Sequence, residues 1–135
     1  MNPAASAPQA TVFFCHGSRD PQWREPFERL AATYRSRVPR QQVRLAFLEL
    51  MTPGLVGVLA ELAADNVDRV RVVPLFLASG AHTRRDLPAL VAEARRQCPQ
   101  LEVEVLPALL ESDALQAAVV AALLHGFPSG HNLGS

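Results

Sequence analysis

Apolar residues recur along this chain with two alternating periods. Short β-rich runs, Thr11 to Cys15, Val43 to Leu48, Val70 to Leu77 and Leu101 to Leu106, are separated by longer segments in which apolar positions return every three or four residues. That alternation predicts an α/β domain over residues 11–124 built on a parallel sheet. Val70 to Leu77 is apolar on both faces apart from Arg71, as expected of a central strand covered by helices on each side. Leu101 to Leu106 alternates with Glu102 and Glu104 instead, which predicts a half-exposed edge strand. Right-handed crossovers then favour a four-stranded sheet of order 2-1-3-4 with helices on both faces.

The helices carry their own punctuation. Asp20 followed by Pro21 predicts the start of the first, with Phe27, Leu30, Ala31, Tyr34 and Val38 as its buried stripe. Thr52 and Pro53 predict the start of the second, whose face is Leu55, Val58, Leu59 and Leu62. The third is expected to be capped by Thr83 and to bury Leu87, Leu90, Val91, Ala94 and Cys98, with Asp86 at its positive end. The last, Asp113 to Leu124, has almost no polar face and so requires a cover, either a second copy of the chain or the C-terminal tail. Residues 1–10 and 125–135, small, polar and rich in Pro, Gly or Ser, are read as poorly ordered tails in which His125 and His131 have no role.

Composition narrows the chemistry. With 135 residues, 49% of them apolar, the chain suits a single core. The formal charge is zero, so nothing favours nucleic acid or a membrane surface as partner. All 13 basic residues are arginine; without lysine there can be neither a Walker-type phosphate loop nor a lysine Schiff base. Cys15 and Cys98, without Cys-x-x-Cys spacing, are read as reduced core residues, and no apolar run approaches the about 18 residues of a membrane span. A soluble, cytoplasmic protein without an export signal is the expectation.

Three polar residues follow three apolar runs: His16 after the first, Glu49 after the second and His82 beyond the third. Strands 1 and 3 are expected to be neighbours whose following loops diverge, opening a crevice at their carboxyl ends that holds His16 and His82. With strands about 4.8 Å apart, these side chains can converge on an ion at about 2.1 Å from each imidazole nitrogen. Two imidazoles and a carboxylate suit a divalent transition metal. Each residue also has a plainer reading: His16 as a strand-end hydrogen-bonding group, His82 as a helix-flanking cap, Glu49 as the partner of an arginine. The turn Gly17-Ser18-Arg19-Asp20 leads into a helix start, where an anion or substrate is commonly held. Arg84 and Arg85 stand at another helix start, where arginine is disfavoured unless an anionic ligand calls for it.

The strings Cys15 to Pro21, Phe47 to Leu50 and Val73 to Pro88 together resemble the small sirohydrochlorin chelatases of the cobalamin and siroheme pathways, over nearly all of residues 11–124 and in the same order. Cys15 and Ala81 stand where glycine is commoner in that family, and Arg85 where an acidic residue is frequent. The resemblance implies half of a class II chelatase fold and a homodimer standing in for the two lobes of longer relatives. It implies ATP-independent insertion of Co²⁺, Fe²⁺ or Ni²⁺ into a tetrapyrrole, the ion being substrate and no cofactor being permanently bound. By the match, His16 and His82 are metal ligands and proton acceptors. Glu49 would orient a histidine, complete the ligand set or carry protons away, and Ser18, Arg19, Arg84 and Arg85 would grip the carboxylates of the macrocycle. Two other readings compete: a metal- or tetrapyrrole-binding protein without turnover, and a phosphohistidine phosphatase, in which an arginine would replace Cys15.

Overall fold

Four parallel strands, β1 (Ala10–Cys15), β2 (Gln42–Phe47), β3 (Arg69–Pro74) and β4 (Glu102–Val105), form one sheet of order β2-β1-β3-β4 in a computed structural model that describes residues 7–126. The order is the one expected, with β1 and β3 adjacent. Four helices, α1 (Glu25–Arg37), α2 (Leu55–Ala64), α3 (Ala81–Gln97) and α4 (Asp113–His125), complete the domain. None of the described helices is long and apolar enough to cross a membrane.

The two faces of the sheet are covered unequally. Val12, Phe14, Ala46, Val70 and Val72 pack with Leu55, Val58, Leu59, Leu62, Leu87 and Ala94 of α2 and α3 in the main core. On the other face α1 alone lies over β1 and β2, around Phe13, Ala31 and Val43, with Phe13 and Tyr34 meeting edge to face at 5.4 Å. Consequently β3 is not buried on both faces: Val70, Val72 and Pro74 are, whereas Arg69, Arg71 and Val73 are half-covered, and Arg71 reaches sideways to Glu104 of β4. The edge position of β4 is as expected.

Most helix boundaries differ from expectation, for local reasons. Asp20 does cap, accepting the Gln22 N–H, but the helix it starts is a 3₁₀ turn, Pro21–Arg24, and α1 follows from Glu25. Along α1 the stripe centres on Ala31, with Phe27, Tyr34 and Val38 half-buried and Leu30 turned outward. Thr52 and Pro53 stay in the loop, and Gly54 precedes α2. Gly80, not Thr83, flanks α3; Thr83 sits inside the first turn and its hydroxyl donates back to the Gly80 carbonyl at 3.0 Å. Extended backbone at Gly54 and Gly80 marks both starts without a side-chain cap, so neither carries the Ser/Thr/Asp/Asn signature of a helix start.

Residue 10 belongs to β1 rather than to a tail, and the Gln9 side chain accepts the N–H groups of Asp68 and Arg69, tying the entry of β1 to that of β3. His125 closes α4 rather than standing in a tail. The remaining tail assignments, residues 1–6 and 127–135 with His131, lie outside the described residues. Every residue of α4 is exposed, and the helix packs chiefly on a 3₁₀ turn, Leu109–Glu111, so among the described residues its apolar surface is not covered; the C-terminal tail expected as one possible cover lies outside them.

Candidate functional site

At the carboxyl edge of the sheet the backbone pairing runs past the strands. The Leu48 N–H donates to the Cys15 carbonyl at 2.8 Å and the Glu49 N–H to the His16 carbonyl at 3.0 Å, while the Leu75 N–H donates to Phe14 at 2.8 Å. His16 is thereby held from the β2 side, next to Glu49. Gly17 follows with φ of 98°, and a Cβ built on it would stand 1.8 Å from the Glu49 carbonyl oxygen, so only glycine fits where these two loops touch.

On the other side, the His16 ring lies 4.1 Å from the Phe76 ring, tilted by 36°. Phe76 is buried in the segment joining β3 to α3, and the same segment leads through Gly80 into the first turn of α3, where His82 stands. His82 is thus a helix residue, not a loop residue. The segment is strapped from behind: the Leu109 and Leu110 N–H groups donate to the carbonyls of Phe76 and Leu77, and the Ser79 hydroxyl donates to the Glu111 carboxylate at 3.1 Å. Phe76 and this strap were not singled out in the sequence. An aromatic inside an apolar run reads as core, and nothing local distinguishes a core ring with one face turned to a histidine.

His16, Glu49 and His82 are all exposed. Glu49 lies beyond the end of β2 in solvent, not along the apolar face on which its pleat phase would put it. Among the described residues no group of three or more His, Cys, Asp or Glu side chains is arranged to hold a metal ion, so the three-ligand set of His16, Glu49 and His82 is not assembled in the single chain. Arg19, Arg84 and Arg85 are exposed and take part in none of the ion pairs among the described residues, and Ser18 is half-buried, accepting the Asp20 N–H at 3.1 Å. An edge with two imidazoles, one carboxylate and three uncommitted guanidinium groups can bind a polyanion and exchange protons with it. An apolar groove of about 450 Å³ runs between α3 and the β4 side, lined by Ser79, Thr83, Arg84, Leu87, Val91 and Val105; it shares Arg84 with the candidate site, but His16, Glu49 and His82 do not line it.

Cys15, directly before His16, is fully buried. Burial pushes its thiol from the ordinary 9.0 up to about 12, only partly offset by the Arg24 guanidinium. A thiol so held is neither nucleophile nor ligand near neutral pH.

The sequence profile of the CbiX family matches residues 10–125, and the chain belongs to that family. Among curated relatives, the sirohydrochlorin cobaltochelatase of Methanopyrus kandleri is 37% identical over 82 residues, 61% of this chain and 57% of that protein. The sirohydrochlorin cobaltochelatase of Saccharolobus islandicus is 35% identical over 95 residues, covering 67% of this chain and 73% of its own length. The crystal structure of a CbiX protein from Marinobacter aquaeolei superposes with a TM-score of 0.74 at 27% identity, covering 87% of this chain and 96% of that one. The cobalt complex of the sirohydrochlorin chelatase SirB from Bacillus subtilis shares the fold with a TM-score of 0.69 at 23% identity, over 76% of this chain but 44% of that one. The chain thus spans less than two thirds of the Methanopyrus relative and under half of SirB.

Two outcomes follow from this geometry. Gly17→Ala is expected to destabilise the fold by about 1–3 kcal/mol from backbone strain alone, with the clash against Glu49 added, in urea unfolding. Because the folded thiol of Cys15 keeps its proton to about 12 while the unfolded thiol loses it near 9.0, the unfolded chain binds fewer protons between those values. Stability therefore falls as pH rises through that window, and urea midpoints for Cys15→Ala should fall less steeply there than those of the wild type.

Proposed function

We propose that this chain inserts a divalent metal into sirohydrochlorin or a closely related tetrapyrrole without ATP, with Co²⁺ the first candidate and Fe²⁺ and Ni²⁺ the alternatives, in cobalamin or siroheme formation. The observation that carries the reading is the delivery of His16 and of the α3 turn bearing His82 to one sheet edge, coupled through Phe76. Membership of the CbiX family, with relatives named as cobaltochelatases, supports it. The two free cysteines suit a reducing cytoplasm.

Metal insertion exchanges two pyrrole protons for one divalent ion. Neutral imidazoles at His16 and His82 bind the ion, which is a substrate here, and take up the protons as it is transferred. Exposure of both rings suits a handover, since a closed ligand cage would retain the metal. Glu49, beside His16, either completes the ligand set or carries protons to solvent. Arg19, Arg84 and Arg85, with Ser18, hold the carboxylates at the rim of the macrocycle through charge-assisted hydrogen bonds. No resident cofactor enters this scheme.

The chain works as a homodimer in this reading. The support is α4, apolar all round and exposed throughout, together with a fold that accounts for under half of the SirB chain.

In a purified assay that follows the absorption of sirohydrochlorin with Co²⁺, Fe²⁺ or Ni²⁺ against the uncatalysed rate, His16→Ala and His82→Ala should each lower insertion by about 10²-fold or more, with unchanged circular dichroism. Wild-type rates in both variants would overturn the assignment. Sedimentation should find a dimer that Val120→Glu with Leu124→Glu converts to monomer; a wild-type monomer at assay concentration would remove the homodimer from the scheme.

A further inference from the structure

Outside α4, the two most exposed large apolar side chains among the described residues are Leu50 and Leu77, at 57% and 67%, and both stand at the carboxyl edge. Phe47 and Pro74 end the two strands that flank β1, level with Cys15 and Phe14 respectively, and each leucine lies three residues beyond its strand. The order β2-β1-β3 therefore sets one leucine on either side of the strand that leads into His16.

Neither side chain is there for the core, and each backbone is fixed. Leu77 has its carbonyl held by the Leu110 N–H at 2.8 Å while its side chain is left in water. Leu50 has φ of 65°, in a tight turn closed by the Met51 N–H on the Glu49 carbonyl at 2.8 Å. Glycine takes that conformation without strain, and a solvated leucine gains nothing from packing to offset it. A strained backbone beneath an exposed apolar side chain, at an edge carrying the candidate histidines, is what a contact awaiting its ligand looks like.

We infer that Leu50 and Leu77 are apolar bearings for the flat face of the tetrapyrrole, one on each side of His16. This rests on the function proposed above. Two separated apolar contacts, with exposed arginines in the turn after β1 (Arg19) and the first turn of α3 (Arg84 and Arg85), match a planar ligand that is apolar across its ring and anionic at its rim. They fix the tilt of the ring over His16, and so select the macrocycle rather than the metal.

The test is titration of purified Leu50→Gly, Leu77→Ser and the double variant with metal-free sirohydrochlorin, followed by absorption and fluorescence, with Leu50→Met as the conservative control and Co²⁺ titrated separately. Each single change should raise the Kd for sirohydrochlorin about fivefold, as expected for losing a half-buried leucine contact. The double change should raise it further, Leu50→Met should restore most of the affinity, and Co²⁺ binding without tetrapyrrole should be retained. Wild-type binding with variants within twofold of it overturns this inference and leaves the chelatase reading standing. No binding by the wild type overturns both. Variants that alter sedimentation but not the sirohydrochlorin Kd would assign the leucines to a contact between copies instead, and overturn the inference as well.

Discussion

The structure depends on β1 being hydrogen-bonded on both sides for longer than its own length. Parallel pairing to β2 continues through Leu48 and Glu49, and pairing to β3 continues through Leu75, so the last ordered ladder bonds fall at Cys15 and His16. A residue just past a central strand would ordinarily be as free as any loop residue. Here His16 has its own carbonyl accepting from Glu49 and its ring resting on Phe76, so the sheet extends its rigidity one residue into the site.

The candidate site sits at the open end of an asymmetric sandwich. Behind it, the thick face packed by α2 and α3 supplies most of the buried apolar surface and anchors Phe76. The thin face under α1 leaves β3 half-covered and spends one of its arginines, Arg71, on an ion pair with β4. The cations near the histidines are not spent in this way. Guanidinium groups outside any ion pair occur elsewhere on the molecule as well, so what sets Arg19, Arg84 and Arg85 apart is their place in the chain, close to His16 and His82.

Much of this was legible in the sequence because it depends on periodicity. The four strands, the stripe of α3, the half-exposed β4 and the order 2-1-3-4 all follow from where apolar residues recur. Helix starts were less legible. At α2 and α3 the flanking residues are Gly54 and Gly80, which leave no side-chain signature, while Thr52 and Thr83 imitate caps nearby. Glu49 stands in solvent because β2 ends at Phe47, so the alternation of the strand does not extend to it. The three-ligand metal set was drawn from strand ends alone, but His82 stands on a helix and the distance around a loop of six residues is not a quantity that spacing encodes. Phe76 was invisible as a site residue because its contribution is the orientation of a ring in space.

The contact between Gly17 and the Glu49 carbonyl separates two kinds of constraint on neighbouring positions. It uses the main chain of residue 49 and leaves the carboxylate outside the contact. Position 17 is therefore locked by sterics, whereas the side chain at 49 can be exchanged without moving the loop that carries it. A lineage could thus change the side chain beside His16, and with it the charge of this edge, while the scaffold stays as it is.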